Sequence, residues 1–180
     1  MNVPYFFYGS LRDPDVLSAV LGRSLEGLTF APGQLQAFRA ERALAYSFPL
    51  LVPTHGAVAE GLVTTGLSGE DVARIAYFED SDYVRAIQMV EVADSLVPAH
   101  VFMAAERLES SGETWDFGRF QTHDKALLLA VTRHVMQDHY GRTPQSEMER
   151  LWAGIRDRFA AMMDCPPRPK ARHAVANESF

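Results

Sequence analysis

The hydrophobic pattern of this 180-residue chain changes its period near residue 107. Before that point, short apolar segments alternate with period two between turns rich in glycine and proline, as in half-buried β-strands. After it, apolar residues recur at the 3.6-residue spacing of amphipathic helices. This change predicts an α+β fold, in which a compact sheet domain with short helices precedes a C-terminal α-hairpin.

The same change predicts how the chain is divided. Residues 1–109 should form the sheet domain and residues 110–165 a helical extension, while residues 166–180, rich in proline and charge, should be a disordered tail. Two apolar stripes run along the extension, and large side chains on them need to be buried. The hairpin should therefore pack on the sheet domain, to which a short linker at residues 110–112 holds it, or on a second subunit in a homodimer.

Composition narrows the classes of function. The net charge is −6, and no basic stripe offsets it, so the sequence does not predict a nucleic-acid partner. No apolar segment is long enough for a membrane span, and the N-terminus lacks the pattern of a secretion signal. A single cysteine, Cys165, cannot form an internal disulfide, and this favours a reducing, cytoplasmic setting.

The strands of the first part can be placed from alternation and turns. Residues 25–45 are interrupted by Pro32-Gly33 and suggest two strands or a hairpin. Residues 46–53 are apolar but carry two prolines, which predicts an edge or a loop rather than a central strand. Residues 57–67 should form a central strand that another backbone or a ligand approaches at Gly61. Residues 83–92 and 97–104 suggest an antiparallel hairpin.

Near the N-terminus, a strand at residues 3–8 leads into Gly9-Ser10-Leu11 and then into a helix. Asp13 is a candidate helix cap, and Pro14 suits the first helical position. The N–H groups of Gly9, Ser10 and Leu11 would then face one small space and bind a carboxylate or an oxyanion. The alternative is that these residues only turn the chain between two elements.

A second candidate site is Glu79, which follows Tyr77 and Phe78 at the end of a predicted helix. Burial beside these rings would raise the pKa of the carboxyl group toward the range in which it can accept and return a proton. The alternative is a solvated carboxylate at a helix end. We expect Asp80 and Asp82 to face water at the turn that follows.

Other kinds of site lack support in the sequence. The six histidines include no His-x-x-x-His pair, so no zinc site is predicted. The chain has no Gly-x-Gly-x-x-Gly segment and no phosphate-loop lysine, and Ser10 lacks the Gly-x-Ser-x-Gly context of a nucleophile. We expect Ser10 to act as a hydrogen-bond donor, and we expect no metal and no cofactor.

An ordered set of short motifs resembles the gamma-glutamylcyclotransferase-like family, whose plant members are the avirulence-induced-gene-like proteins. The motifs are Phe6-Phe7-Tyr8-Gly9-Ser10-Leu11-Arg12, Tyr46-x-x-Pro49-x-Leu51, Glu60-Gly61 and Phe78-Glu79-x-x-x-Tyr83-x-Arg85. The resemblance spans residues 3–105 and implies a small mixed β-barrel. It also implies that the Tyr8–Leu11 loop binds the substrate and that Glu79 is the general acid/base. The family often has Leu-Asp where this chain has Ile75-Ala76.

The resemblance implies that the chain cyclises a gamma-glutamyl amide to 5-oxoproline and releases an amine, as a transferase or lyase without a cofactor. Tyr8 and Tyr83 would line the pocket. Arg85 would hold a substrate carboxylate, or would instead pair with Asp80 or Asp82. Two alternatives stay open: a binding or regulatory module that turns nothing over, and a hydrolase or acyltransferase that uses Glu79 on another amide.

Overall fold

The computed structural model describes residues 3–44, 46–106 and 108–163, so the predicted tail at 166–180 lies outside the described residues. Within these residues there are six strands: β1 (Tyr5–Phe7), β2 (Thr29–Ala43), β3 (Pro49–Thr65), β4 (Tyr83–Val92), β5 (Ser95–Ala104) and β6 (Ser110–Thr114). The helices are α1 (Pro14–Leu21), α2 (Gly69–Glu79), α3 (Phe117–Arg119), α4 (Lys125–Asp138) and α5 (Gln145–Met162). The α+β class is confirmed.

The strands close into a five-stranded barrel. Their order is β3-β1-β5-β4-β2, and pairing of β2 with β3 completes the circle, while β6 pairs with the last residues of β2. β1 runs parallel to β5, and the other pairs are antiparallel. After closure, each of the five barrel strands has a neighbouring strand on both sides over part of its length. The barrel that the resemblance implied is therefore confirmed.

The ring of Phe6 occupies the interior of the barrel and is almost fully buried. It fits because two strands that face it carry glycine. A Cβ on Gly61 would lie 2.6 Å from the Phe6 ring and 2.5 Å from the Phe7 carbonyl oxygen, and a Cβ on Gly33 would lie 3.4 Å from the ring. The close approach of another backbone at Gly61, predicted from the sequence, is confirmed.

β2 and β3 form one long hairpin, and this corrects the prediction for residues 25–45. Residues 29–43 are a single strand rather than two, because a register shift at Ala37, which has a φ of 63°, absorbs the irregularity without ending the strand. Residues 49–53 belong to β3 and form an edge part of it, which confirms the first of the two alternatives predicted for the proline-containing segment. Pro49 and Pro53 are tolerated there because this half of β3 pairs with β2, whereas β1 pairs only with residues 62–64.

Local signals located the short helices correctly. The Asp13 side chain accepts hydrogen bonds from the N–H groups of Asp15 and Val16, and Gly22 ends α1 with a φ of 66°. Ser68 and Asp71 form a capping box at the start of α2. The β4–β5 hairpin is present as well.

The C-terminal helices pack on the barrel of the same chain. Residues 117–138 are helical throughout, with a π-helical turn at Phe120–Asp124 between α3 and α4. Phe120, Val131 and Met148 are buried in the same cluster as Tyr5, Phe7 and the apolar face of α1. Residues 110–112, predicted as a linker, lie instead in β6 and pair with β2. None of the helices among the described residues is long and apolar enough to cross a bilayer.

Gly61→Ala should destabilise the barrel, because the new methyl group would overlap the Phe6 ring and the Phe7 carbonyl. We expect a loss of about 1–3 kcal/mol or more in the free energy of unfolding, measured by urea denaturation. Gly69→Ala is the matched control, because a Cβ at this first residue of α2 meets no atom within 4 Å. Equal effects of the two substitutions would contradict the packing described for Phe6.

Candidate active site

A cavity of about 720 Å³ lies between one end of the barrel and the C-terminal helices. Tyr8 follows the C-terminal end of β1, Phe102 lies near the end of the parallel strand β5, and Tyr83 begins the antiparallel strand β4. Barrel closure brings these three residues to the same end, where all of them line the cavity.

Glu79 is the last residue of α2 and lines this cavity. The helix ends there because Asp80 adopts a φ of 56°, while its N–H still donates to the Ala76 carbonyl. Although some surface of Glu79 remains accessible from the cavity, protein surrounds its carboxyl group. Burial raises the pKa of Glu79 to about 8, and the negative charge of Asp82 contributes in the same direction.

Tyr8 and Tyr83 lie close to Glu79, and both phenols are held by main-chain carbonyls. The Tyr8 hydroxyl donates to Phe102 O at 2.7 Å, and the Tyr83 hydroxyl donates to Pro49 O at 2.8 Å. Burial raises the pKa of each tyrosine well above its ordinary value, with a further contribution from the charge of Glu79. Both side chains are therefore neutral, oriented walls of the cavity.

The loop after β1 also lines the cavity, through Gly9, Ser10 and Leu11. Ser10–Arg12 forms a 3₁₀ turn whose hydrogen bonds are donated by the N–H groups of Arg12 and Asp13. The N–H groups of Ser10 and Leu11 stand at the start of the turn and take no part in those two bonds. A Cβ on Gly9 would lie 2.8 Å from Pro49 Cγ, so a side chain there would displace another residue of the cavity wall.

Residues of α3 and α4 contact the segment that follows this loop through ion pairs and a cation–π contact. Lys125 Nζ lies 2.8 Å from Asp13 Oδ2 and 2.7 Å from Asp15 Oδ2. The Arg12 guanidinium lies over the Phe117 ring, 4.5 Å from its centroid. Asp13 is fully buried, and its carboxylate both caps α1 and binds Lys125 of the helical extension. This ion pair therefore joins the extension to the end of the loop.

Arg85 is the one predicted site residue that the structure does not bring to the cavity. Its Nη1 donates to the Tyr5 hydroxyl at 2.9 Å, and it is absent from the cavity lining among the described residues. This contact is with a tyrosine rather than with the expected Asp80 or Asp82. These two carboxylates were expected in water, yet both line the cavity, and burial raises the pKa of Asp80.

One further wall of the cavity is not predicted by any motif in the sequence. Phe120, Leu127 and Leu128 from the first half of the helical hairpin and Trp152 from α5 line it. At helical spacing these side chains are indistinguishable from an ordinary core stripe, and most of their surface is indeed buried. No group of three or more histidine, cysteine or acidic residues with the geometry of a metal site occurs among the residues that the structure describes.

Residues 5–120 match the model of the family described as gamma-glutamyl cyclotransferase, AIG2-like. The chain belongs to this family. Curated relatives from Arabidopsis thaliana include AIG2-like protein C, 25% identical over 146 residues, which cover 79% of this chain and 81% of the relative. Protein AIG2 B from the same plant is 27% identical over 135 residues, which cover 72% of this chain and 78% of the relative.

Solved structures with this fold include two of special interest. An Arabidopsis thaliana protein determined in solution has a TM-score of 0.54 at 22% identity, covering 75% of this chain and 91% of its own. A structure titled gamma-glutamyl cyclotransferase has a TM-score of 0.50 at 12% identity, and the match covers 98% of this chain and 94% of the other. These likenesses concern the fold, and in this AIG2-like chain the fold places the strand-to-turn segment, α2 and the cavity together.

The raised pKa of Glu79 predicts how stability depends on pH. The folded-state pKa of about 8 exceeds the ordinary value of 4.5, so between these values the folded protein holds a proton that the unfolded chain releases. The stabilisation is complete below pH 4.5 and is lost as pH rises through 8, at a slope of about 1.4 kcal/mol per pH unit. Glu79→Gln should flatten this decline, as measured by denaturant unfolding from pH 5 to 9. Parallel curves for the two proteins would contradict the burial of the carboxyl group.

Proposed function

We propose that this protein is a gamma-glutamyl cyclotransferase that converts a gamma-glutamyl amide to 5-oxoproline and a free amine, with Glu79 as the general acid/base. The observation that supports it best is a carboxyl group with a pKa near 8 in a cavity that also exposes the turn at Gly9–Leu11. A carboxyl group with this pKa can both take up and release a proton near neutral pH. Family membership supports the same class of reaction.

In the proposed reaction, the substrate folds so that its α-nitrogen reaches the γ-carbonyl carbon. The Glu79 carboxylate removes a proton from the α-ammonium group, and the free amine attacks to close a five-membered ring. Such internal nucleophiles reach effective molarities of ~10⁵ M or more when they are correctly oriented. Tyr8 and Tyr83, held by main-chain carbonyls on either side, would restrict the substrate to this folded shape.

The second half of the reaction expels the amine. The tetrahedral intermediate carries its negative charge on the former carbonyl oxygen, and the N–H groups of Ser10 and Leu11 can donate hydrogen bonds to this oxygen or to the substrate carboxylate. Glu79 returns its proton to the leaving nitrogen as the carbon–nitrogen bond breaks. The ring nitrogen loses its second proton to solvent, and the released amine takes up one proton there to become an ammonium ion. The products are 5-oxoproline and the amine, and no water is consumed.

Glu79→Gln should lower turnover by about 10²–10⁴-fold while the fold and ligand binding persist, because the amide cannot shuttle the proton. Formation of 5-oxoproline from a panel of gamma-glutamyl amides measures turnover, and circular dichroism checks the fold. Glu113→Gln, an exposed position on β6, is the control for loss of one negative charge. Near-normal turnover in Glu79→Gln would overturn the assignment.

Asp82→Asn tests the same carboxyl group through its pH profile. In the wild type, kcat/KM should rise with pH through about 8 as Glu79 ionises. Because the Asp82 charge raises the pKa of Glu79, removing that charge should shift the rise toward lower pH. Asp94→Asn, in the exposed turn between β4 and β5, removes an equal charge and should leave the profile in place. Identical profiles for all three proteins would count against Glu79 as the titrating base.

The substrate panel also separates the two alternatives. A hydrolase would release free glutamate instead of 5-oxoproline, and a binding or regulatory module would bind the amides without turning them over. Either result would replace the cyclotransferase proposal.

A further inference from the structure

The cavity is larger than the reacting group requires. Its volume of about 720 Å³ lies in the range of clefts that hold drug-sized ligands, ~300–1,000 Å³. The gamma-glutamyl group is a short chain that folds into a single small ring, so it fills only part of this space. The remainder must accommodate the other half of the substrate, which is the amine that leaves.

The extra space adjoins the C-terminal helices. The family model matches residues 5–120, whereas Leu127, Leu128 and Trp152 of the cavity wall lie beyond that match. The match therefore covers the Gly9–Leu11 turn and Glu79, and the helices add a wall of their own. A wall that lies outside the shared part of the fold can set the choice of leaving group without altering the reacting end.

The deep part of the helical wall is apolar. Phe120 and Val131 are each 2% exposed, Leu127 is buried, and the half-buried side chains of Leu128 and Trp152 complete the surface. The Trp152 ring meets the Phe78 ring edge to face, with centroids 6.3 Å apart. Phe78, Trp152 and Glu79 all line the cavity, so this aromatic pair and the carboxyl group that protonates the leaving nitrogen face the same space.

The charged residues of the helical wall are exposed or already have a partner. Arg119, His123 and Glu149 are exposed. Arg42 Nη1 lies 3.5 Å from Asp124 Oδ2, and Arg156 Nη1 lies 3.7 Å from Asp157 Oδ1. The charges of this wall therefore lie at exposed or ion-paired positions, whereas its buried part is apolar.

Resting on the proposed function, we infer that the substrates are gamma-glutamyl amides of amines with a large apolar group, such as an aromatic ring or a branched alkyl chain, and that Trp152 and Leu128 select them. The presence or absence of one methylene group in an apolar pocket changes kcat/KM by about 10–200-fold. A phenylethyl or isopentyl amine would bury several such groups, while a methylamine would bury almost none.

The test compares 5-oxoproline formation from four gamma-glutamyl amides: those of methylamine, isopentylamine, phenethylamine and 1,5-diaminopentane. The wild type should show kcat/KM at least tenfold higher for the isopentyl and phenethyl amides than for the methyl amide. The diamine conjugate is cationic and should not exceed the methyl amide. A preference for it would overturn the inference and would point instead to Asp80, Asp82 and Glu149, the carboxylates near Glu79.

Trp152→Ala should reduce the ratio of phenethyl to methyl kcat/KM by about 10–100-fold, and Leu128→Ser should reduce the isopentyl ratio in the same direction. Leu151→Ala is the matched control, since Leu151 precedes Trp152 on α5 but is exposed and does not line the cavity. Trp152→Phe keeps an aromatic ring against Phe78 and should give an intermediate ratio if Trp152→Ala proves unstable. Equal losses for all amides would show that Trp152 only supports the fold.

Binding to the Glu79→Gln variant gives a readout that does not depend on turnover. Calorimetry should rank the four amides in the same order as kcat/KM. If no amide yields 5-oxoproline but the apolar amides bind this variant more tightly, the cyclotransferase assignment fails while the apolar selectivity stands. If 5-oxoproline forms from all four at similar rates and affinities, the assignment stands and the inferred selectivity fails.

Discussion

The fit of one aromatic ring between two glycines makes the barrel possible. The Phe6 ring fills the interior next to the paired segment of β1 and β3, and any side chain at Gly61 would collide with both the ring and the β1 backbone. β1 has only three residues, so it depends on this close contact and on its two neighbours, β3 and β5. With β1 held in the barrel wall, the next residues, Tyr8 to Leu11, must emerge at the end where the cavity opens.

The same geometry explains how a carboxyl group with a raised pKa comes to face that loop. α2 ends at Glu79 and passes through one tight turn into β4, whose first residue, Tyr83, lies at the same end of the barrel as Tyr8. The barrel itself supplies one side of the surroundings of Glu79, and the C-terminal helices supply the other. Without both sides the carboxyl group would be hydrated, and its pKa would stay near its ordinary value.

The helical extension is part of the site as well as of the core. Its buried face shares one apolar cluster with β1 and α1, while Lys125 and Phe117 contact the residues immediately after the Gly9–Leu11 turn. Removing one of these contacts would therefore affect the position of the turn as well as stability. The site residues predicted from the sequence all lie in the first part of the chain, yet the helices form one of the walls of the cavity.

The sequence by itself determined the parts of this protein that depend on neighbouring residues. The Asp13 cap, Gly22, the Ser68 and Asp71 capping box, the β4–β5 hairpin and the aromatic context of Glu79 are all encoded within a few positions along the chain. Only the tertiary structure decided the continuous β2–β3 hairpin, the strand at the two prolines, the contact of Arg85 with Tyr5 and the aromatic pair of Phe78 and Trp152. Those features join residues far apart in the chain. Their partners are set by barrel closure and helix packing, which local spacing cannot specify.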